Sequence, residues 1–135
     1  MKIGKAFVFI IGIVFLFASC VNVPEEIIGT WNFQTFDTQP QGTMTWTFQD
    51  DGNLIRIATT NDGILIDSCI YTVDKSMLKT HITISGSDPI FGYGELNGIY
   101  RIDKLKEDIL IITRLRRSED ETVADYLRCE MIRKQ

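Results

Sequence analysis

A period of two constrains this chain more than any other feature. Met44, Trp46 and Phe48 alternate with Thr43, Thr45, Thr47 and Gln49, so one face of an extended segment is apolar and the other polar, the pattern of a half-buried strand. With turn residues as punctuation, the chain from Ile27 onward divides into eight such segments: 29–36, 43–49, 53–60, 64–73, 78–85, 96–103, 108–115 and 124–133. Gln39-Pro40-Gln41-Gly42, Asp50-Asp51-Gly52, Asn61-Asp62-Gly63 and Ser85-Gly86-Ser87-Asp88-Pro89 separate them. Glycine supplies positive φ in such turns, and Asn and Asp bond their own backbone. Short turns imply antiparallel neighbours, because parallel crossovers need a dozen residues or more.

Closing the sheet removes its two exposed edges. The expected fold is therefore all-β, an eight-stranded antiparallel up-and-down barrel. A two-sheet sandwich competes, but sandwiches usually need longer crossing connections, and the longest gap here, 86–95, has ten residues. Segment 119–128 carries Val123, Tyr126 and Leu127 at helical spacing. Its continuation alternates better, with Leu127, Cys129 and Met131 inward and Arg128, Glu130 and Arg133 largely outward, so a loop and then a last strand is expected.

The first twenty residues follow a different logic. Lys2 and Lys5 precede an uncharged apolar run over 6–18. In a helix that run covers about 20 Å, short of the ~30 Å hydrocarbon core, which suits the apolar region of a signal peptide. Leu16-Phe17-Ala18-Ser19-Cys20 resembles a bacterial lipobox, in which the cysteine is lipidated and becomes the new N-terminus. The alternative is a plain secretory signal cleaved near Ala18, with Cys20 an ordinary thiol. The expected organisation is a signal peptide over 1–19, a lipidated tether over 20–27 and a barrel over 28–135. Pro24, Glu25 and Glu26 suit a solvated linker, although the glutamates would also suit an export-sorting signal.

Removing residues 1–19 of 135 leaves 116, enough for one core and too few for two. The remainder holds 12 basic against 18 acidic residues with no basic run, so nucleic acid is not an expected partner. His81 is the single histidine. It has no second histidine or nearby nucleophile, and reads as a surface or edge residue. No acid–base pair, nucleophile or metal cluster has a recognisable spacing; no catalytic residue, metal or cofactor is expected, and the protein reads as a non-enzyme.

Three motifs occur in order along nearly the whole mature chain: Ile28-Gly29-Thr30-Trp31, Thr45-Trp46-Thr47-Phe48-Gln49-Asp50-Asp51-Gly52, and Lys104-Leu105-Lys106-Glu107-Asp108-Ile109-Leu110. This arrangement resembles the small lipocalin-like lipoproteins of Bacteroidota. The resemblance implies a barrel closed at one end by Trp31 after Gly29, with a late basic residue, Arg128 or Arg114, packed across the ring. It also implies a lipid-anchored protein of the cell envelope, held at the outer membrane of a Gram-negative bacterium.

Met44, Trp46 and Phe48 are candidates to line a ligand pocket, or simply to fill the barrel together with the other aromatics. Phe91-Gly92-Tyr93-Gly94 is an aromatic loop in which Phe91 and Tyr93 could form a lid or a contact patch. Arg56 would point inward if it shares a face with Leu54 and Ala58, needing an anionic ligand group or Asp67 as partner. The preferred reading reverses the face, placing Ile55 and Ile57 in the core and Arg56 in solvent. Cys69 and Cys129 lie on the fourth and eighth segments, too far apart around a barrel to bond, and are expected as buried thiols. Asp50-Asp51-Gly52-Asn53 and Asn61-Asp62-Gly63 lack the remaining ligands of a calcium loop and read as turns. The expected function is non-catalytic binding of a small apolar or amphipathic ligand. The alternative is a side-chain-filled barrel that contacts another envelope protein.

Overall fold

A computed structural model describes residues 25–34, 42–88, 96–121 and 126–135. Eight strands follow one another: β1 Gly29–Gln34, β2 Thr43–Phe48, β3 Asn53–Thr60, β4 Gly63–Lys75, β5 Thr80–Ser85, β6 Gly98–Leu105, β7 Ile109–Arg116 and β8 Leu127–Arg133. Each pairs antiparallel with its sequence neighbour, and β8 returns to β1, closing an up-and-down barrel. The expected architecture is the observed one. Closure is made by Trp31 opposite Arg133 and Phe33 opposite Met131.

Alternation sorts the side chains as the period of two requires. On β2, Met44, Trp46 and Phe48 are buried while Thr43, Thr45 and Thr47 face outward. Leu54 and Ala58 of β3, Cys69 and Tyr71 of β4, Ile82 and Ile84 of β5, and Leu110 and Ile112 of β7 complete the inner wall. The last strand also alternates: Cys129 and Met131 are buried, Leu127 is half-buried, and Arg128 is exposed.

Several strand ends differ from the expected segments. β4 has 13 residues because its first half pairs with β3 and its second half with β5, Ile70 facing both Asn53 and Ser85. β5 starts at Thr80, not at Leu78, because Met77 and Leu78 form the two-residue tip of the β4–β5 hairpin, closed by hydrogen bonds between Ser76 and Lys79. β6 starts two residues later than expected. Leu96 N donates to Ser87 Oγ (2.9 Å), and Asn97 Oδ1 accepts from Ser87 N (2.8 Å), so these residues tie the incoming loop instead. Phe36 and Ala124, also expected in strands, lie outside the described residues.

The two ends of the barrel differ in what they carry. At one end lie the first described residues, the turns β2–β3, β4–β5 and β6–β7, and the C-terminus; at the other, β1, β3, β5 and β7 finish and β2, β4, β6 and β8 begin. We call these the closed end and the rim. At the closed end the Asp50–Asn53 segment is a turn, with Asp51 accepting from Asn53 N (3.0 Å) and from its Nδ2 (2.8 Å). Those two bonds hold the Asp51 carboxyl below its ordinary pKa.

Candidate functional site

The lumen is built in two chemically different parts. In the first, aromatic rings pack against one another in a run from the rim side toward the closed end: Phe33 stacks on Trp46 at 5.7 Å, Trp46 tilts against Phe48 at 6.3 Å, and Phe48 meets Tyr71 edge-on at 5.0 Å. Trp46 Nε1 donates to Met44 Sδ (3.2 Å), and the Tyr71 hydroxyl donates to the Gln49 carbonyl (2.5 Å). Burial pushes the Tyr71 pKa up to about 12, and the carboxylates of Asp51 and Asp50 add to the rise. Met44, Trp46 and Phe48 are thus brought together, each filling space against the next. Such ring pairs contribute about 0.5–1.5 kcal/mol beyond area burial.

The second part is a buried cluster of charge. Arg56 is fully buried and Asp67 nearly so. Arg56 Nε donates to Asp67 Oδ2 (2.9 Å), and Nη2 donates to the same oxygen; Asp67 Oδ1 accepts from the Asp88 backbone N (3.2 Å). The Arg56 guanidinium also lies 5.9 Å from the Trp46 ring centre. This corrects the preferred sequence reading of Arg56 as solvent-facing. Ile55 and Ile57 are the residues turned outward, Ile57 opposite the exposed Ile66. An apolar residue on either side of Arg56 leaves its face undecided in the sequence. The deciding signal is Asp67, which stands directly opposite in the β3–β4 register.

Arg114 of β7 is the other buried cation among the described residues. Gly98 makes room for it: a Cβ there would stand 2.8 Å from Arg114 Cδ and 2.5 Å from the Arg116 carbonyl oxygen, and its φ of 151° is one that glycine adopts readily. The Tyr100 hydroxyl donates to the Leu96 carbonyl (2.7 Å). Burial raises the Tyr100 pKa strongly, while the Arg114 and Arg56 guanidiniums act to lower it. Burial likewise pushes the Cys129 thiol to about 12 against the same two cations, and Cys69 to about 11. Both cysteines are free and buried, as expected.

At the closed end Trp31 is completely buried and its Nε1 donates to the Ile27 carbonyl (2.9 Å). The cation across its ring is Arg133, 4.2 Å from the centre, and neither Arg128 nor Arg114 takes that place. Arg128 lies on the outer wall, paired with Glu130 (2.7 Å) and Asp103 (3.6 Å), whereas Arg114 is drawn into the lumen. Gly29 has φ 132°, a conformation that side-chain-bearing residues rarely adopt, and a Cβ there would also stand 2.7 Å from Arg133 Nη1 and displace it. The Gly-x-Trp opening is thus read by a residue 104 positions away.

Two cavities flank the closed end. One, of about 620 Å³, lies between the β4–β5 hairpin, Glu26 and the end of β6; the other, of about 580 Å³, lies between Glu25, Lys106, Glu107 and Arg133. Neither is lined by Met44, Trp46 or Phe48. Among the described residues no group of three His, Cys, Asp or Glu side chains is placed to hold a metal. Cys20, Phe91 and Tyr93 lie outside the described residues. Comparison of the chain with family models, with curated proteins and with solved structures finds no match.

Proposed function

We propose that this protein is a lipid-anchored barrel of the bacterial cell envelope, attached through Cys20 and held at the outer membrane, that carries a small amphipathic molecule in its lumen without chemical change. The anchor reading rests on the lipobox-like segment ending at Cys20. The observation that carries the ligand reading is the Arg56–Asp67 pair with Arg114, set inside an otherwise apolar lumen. Taking each ion out of water costs several kcal/mol, and apolar side chains of similar volume would make an equally stable core. A polar ligand head recognised by guanidinium groups accounts for keeping them there. The ligand's apolar part would lie against the neighbouring aromatics, and it would enter from the rim.

A second reading is favoured by the aromatic packing: a filled barrel that acts as an envelope interaction module. A titration separates the two. The exported Cys20→Ser protein is mixed with a fluorescent fatty acid, which joins an anionic head to an apolar tail. The ligand reading expects saturable, equimolar binding that is lost in the Arg56→Met, Asp67→Leu double variant while its urea midpoint is retained. Absence of saturable binding in the parent protein supports the filled module.

A further inference from the structure

The β4–β5 hairpin carries side chains that neither its turn nor the core requires. Two-residue hairpin loops favour Gly, Asn and Asp, yet this one is Met77-Leu78, and the two side chains are 103% and 92% exposed. The large exposed apolar residues of β4 itself, Ile64, Leu65, Ile66 and Ile70, are 42–67% exposed and lie along its wall. The Met77-Leu78 tip is flanked by the exposed Lys75 and Lys79, with no acidic residue between them.

The tip also lies where the chain leaves the barrel. Glu26 lines the same 620 Å³ groove as Met77 and Leu78, and its carbonyl is held by Arg133 Nη2 (2.5 Å). From Cys20 to Glu25 is five residues, at most about 18 Å of fully extended chain. A lipid on Cys20 therefore holds the closed end, and not the rim, close to the bilayer.

We infer that the Met77-Leu78 tip is a second membrane contact, inserting between lipid headgroups while Lys75 and Lys79 meet anionic phosphates. It rests on the lipid-anchor reading given above. An apolar tip with lysines at its shoulders matches the chemistry of an interfacial segment: the side chains enter the acyl boundary and the ammonium groups stay at headgroup level. The single tether restrains distance but leaves tilt free. A second contact fixes tilt and points the rim, the end by which we propose a ligand enters, away from the membrane.

The test uses the full chain, processed in a lipoprotein-competent host and incorporated into vesicles of phosphatidylethanolamine and phosphatidylglycerol that carry nitroxide-labelled acyl chains. A bimane fluorophore is placed on Leu78→Cys or, at the rim, on Asp62→Cys. The native Cys69 and Cys129 thiols are buried and have raised pKa values, so they stay unlabelled at neutral pH. The expected result is loss of most emission, with a blue shift, at position 78 and no change at position 62. Unquenched emission at 78 in acylated, vesicle-bound protein overturns the inference. So does protection of position 78 from aqueous iodide without quenching by the lipid, which would place a protein or a second copy there. The mass of the chain is read first. A chain without acyl groups at Cys20 contradicts the anchor reading itself, and the inference falls with it.

Discussion

The Arg133 guanidinium lies 4.2 Å from the centre of the Trp31 ring, and the same group binds three backbone carbonyls in two segments. Its Nε donates to Glu107 O (2.6 Å), Nη1 to Ile28 O (2.9 Å) and Nη2 to Glu26 O (2.5 Å). One side chain thus covers the plug and fastens the incoming chain and the β6–β7 turn. Arg133→Ala is expected to cost about 2 kcal/mol, from a cation–π contact of about 1 kcal/mol and weakened charged hydrogen bonds. Arg133→Lys keeps the cation but loses the planar fork, and should recover only part of that loss. Urea denaturation of the three proteins checks the order.

The Arg56–Asp67 pair gives an asymmetric prediction. Arg56→Met or Asp67→Leu alone strands a charge in the lumen, and each should cost about 3–5 kcal/mol. The double replacement should return close to parental stability, because both desolvation penalties disappear together. Equilibrium unfolding of the four proteins forms the cycle. Additive losses in the double variant would show that the pair is not buried as a unit.

Thiol titration follows from burial. The ordinary cysteine value of 9.0 rises to about 11 for Cys69 and about 12 for Cys129 in the folded protein, and Tyr71 rises from 10.0 to about 12. These groups hold their protons more tightly when folded. Their stabilising effect is complete below pH 9 and is lost as pH rises through 9 to 12. The urea midpoint in reducing buffer should fall across that window, and less steeply for Cys69→Ala with Cys129→Ala. Iodoacetamide at pH 8 should leave the folded protein unmodified and alkylate both thiols in urea.

Two glycines separate backbone strain from crowding. Gly63 has φ 136° with open space around it, whereas Gly98 has φ 151° and a Cβ added there would lie within 3 Å of both Arg116 O and Arg114 Cδ. Gly63→Ala should cost about 1 kcal/mol from strain alone, near the lower end of the range for such conformations. Gly98→Ala should cost distinctly more, about 3 kcal/mol, because Arg114 must also move. Thermal unfolding of the two variants measures the difference.

The barrel is legible in the sequence because its strands alternate cleanly and its turns are short: Met44, Trp46 and Phe48 alone define an inner face, and consecutive hairpins leave little choice of order. The site is less legible, for two physical reasons. Arg56 is flanked by apolar residues on both sides, so its face depends on a cross-strand partner that no local pattern identifies. Arg133 reaches Trp31 only because barrel closure sets β8 beside β1 in a particular register. Both residues are explained by pairing between strands, not by periodicity within one. The hairpin tip is hidden for a related reason: Leu78, being apolar, reads as the start of the fifth strand. The hydrogen bonds between Ser76 and Lys79 are what place it, with Met77, at a turn.

The most direct test of the ligand account is native mass spectrometry of the Cys20→Ser protein, exported in its own type of host and purified without detergent. The account predicts a reproducible added mass that is lost on denaturation and absent from the Arg56→Met, Asp67→Leu double variant. A bare polypeptide mass, together with no saturable binding of the fluorescent fatty acid, would contradict it and leave the barrel as a filled interaction module.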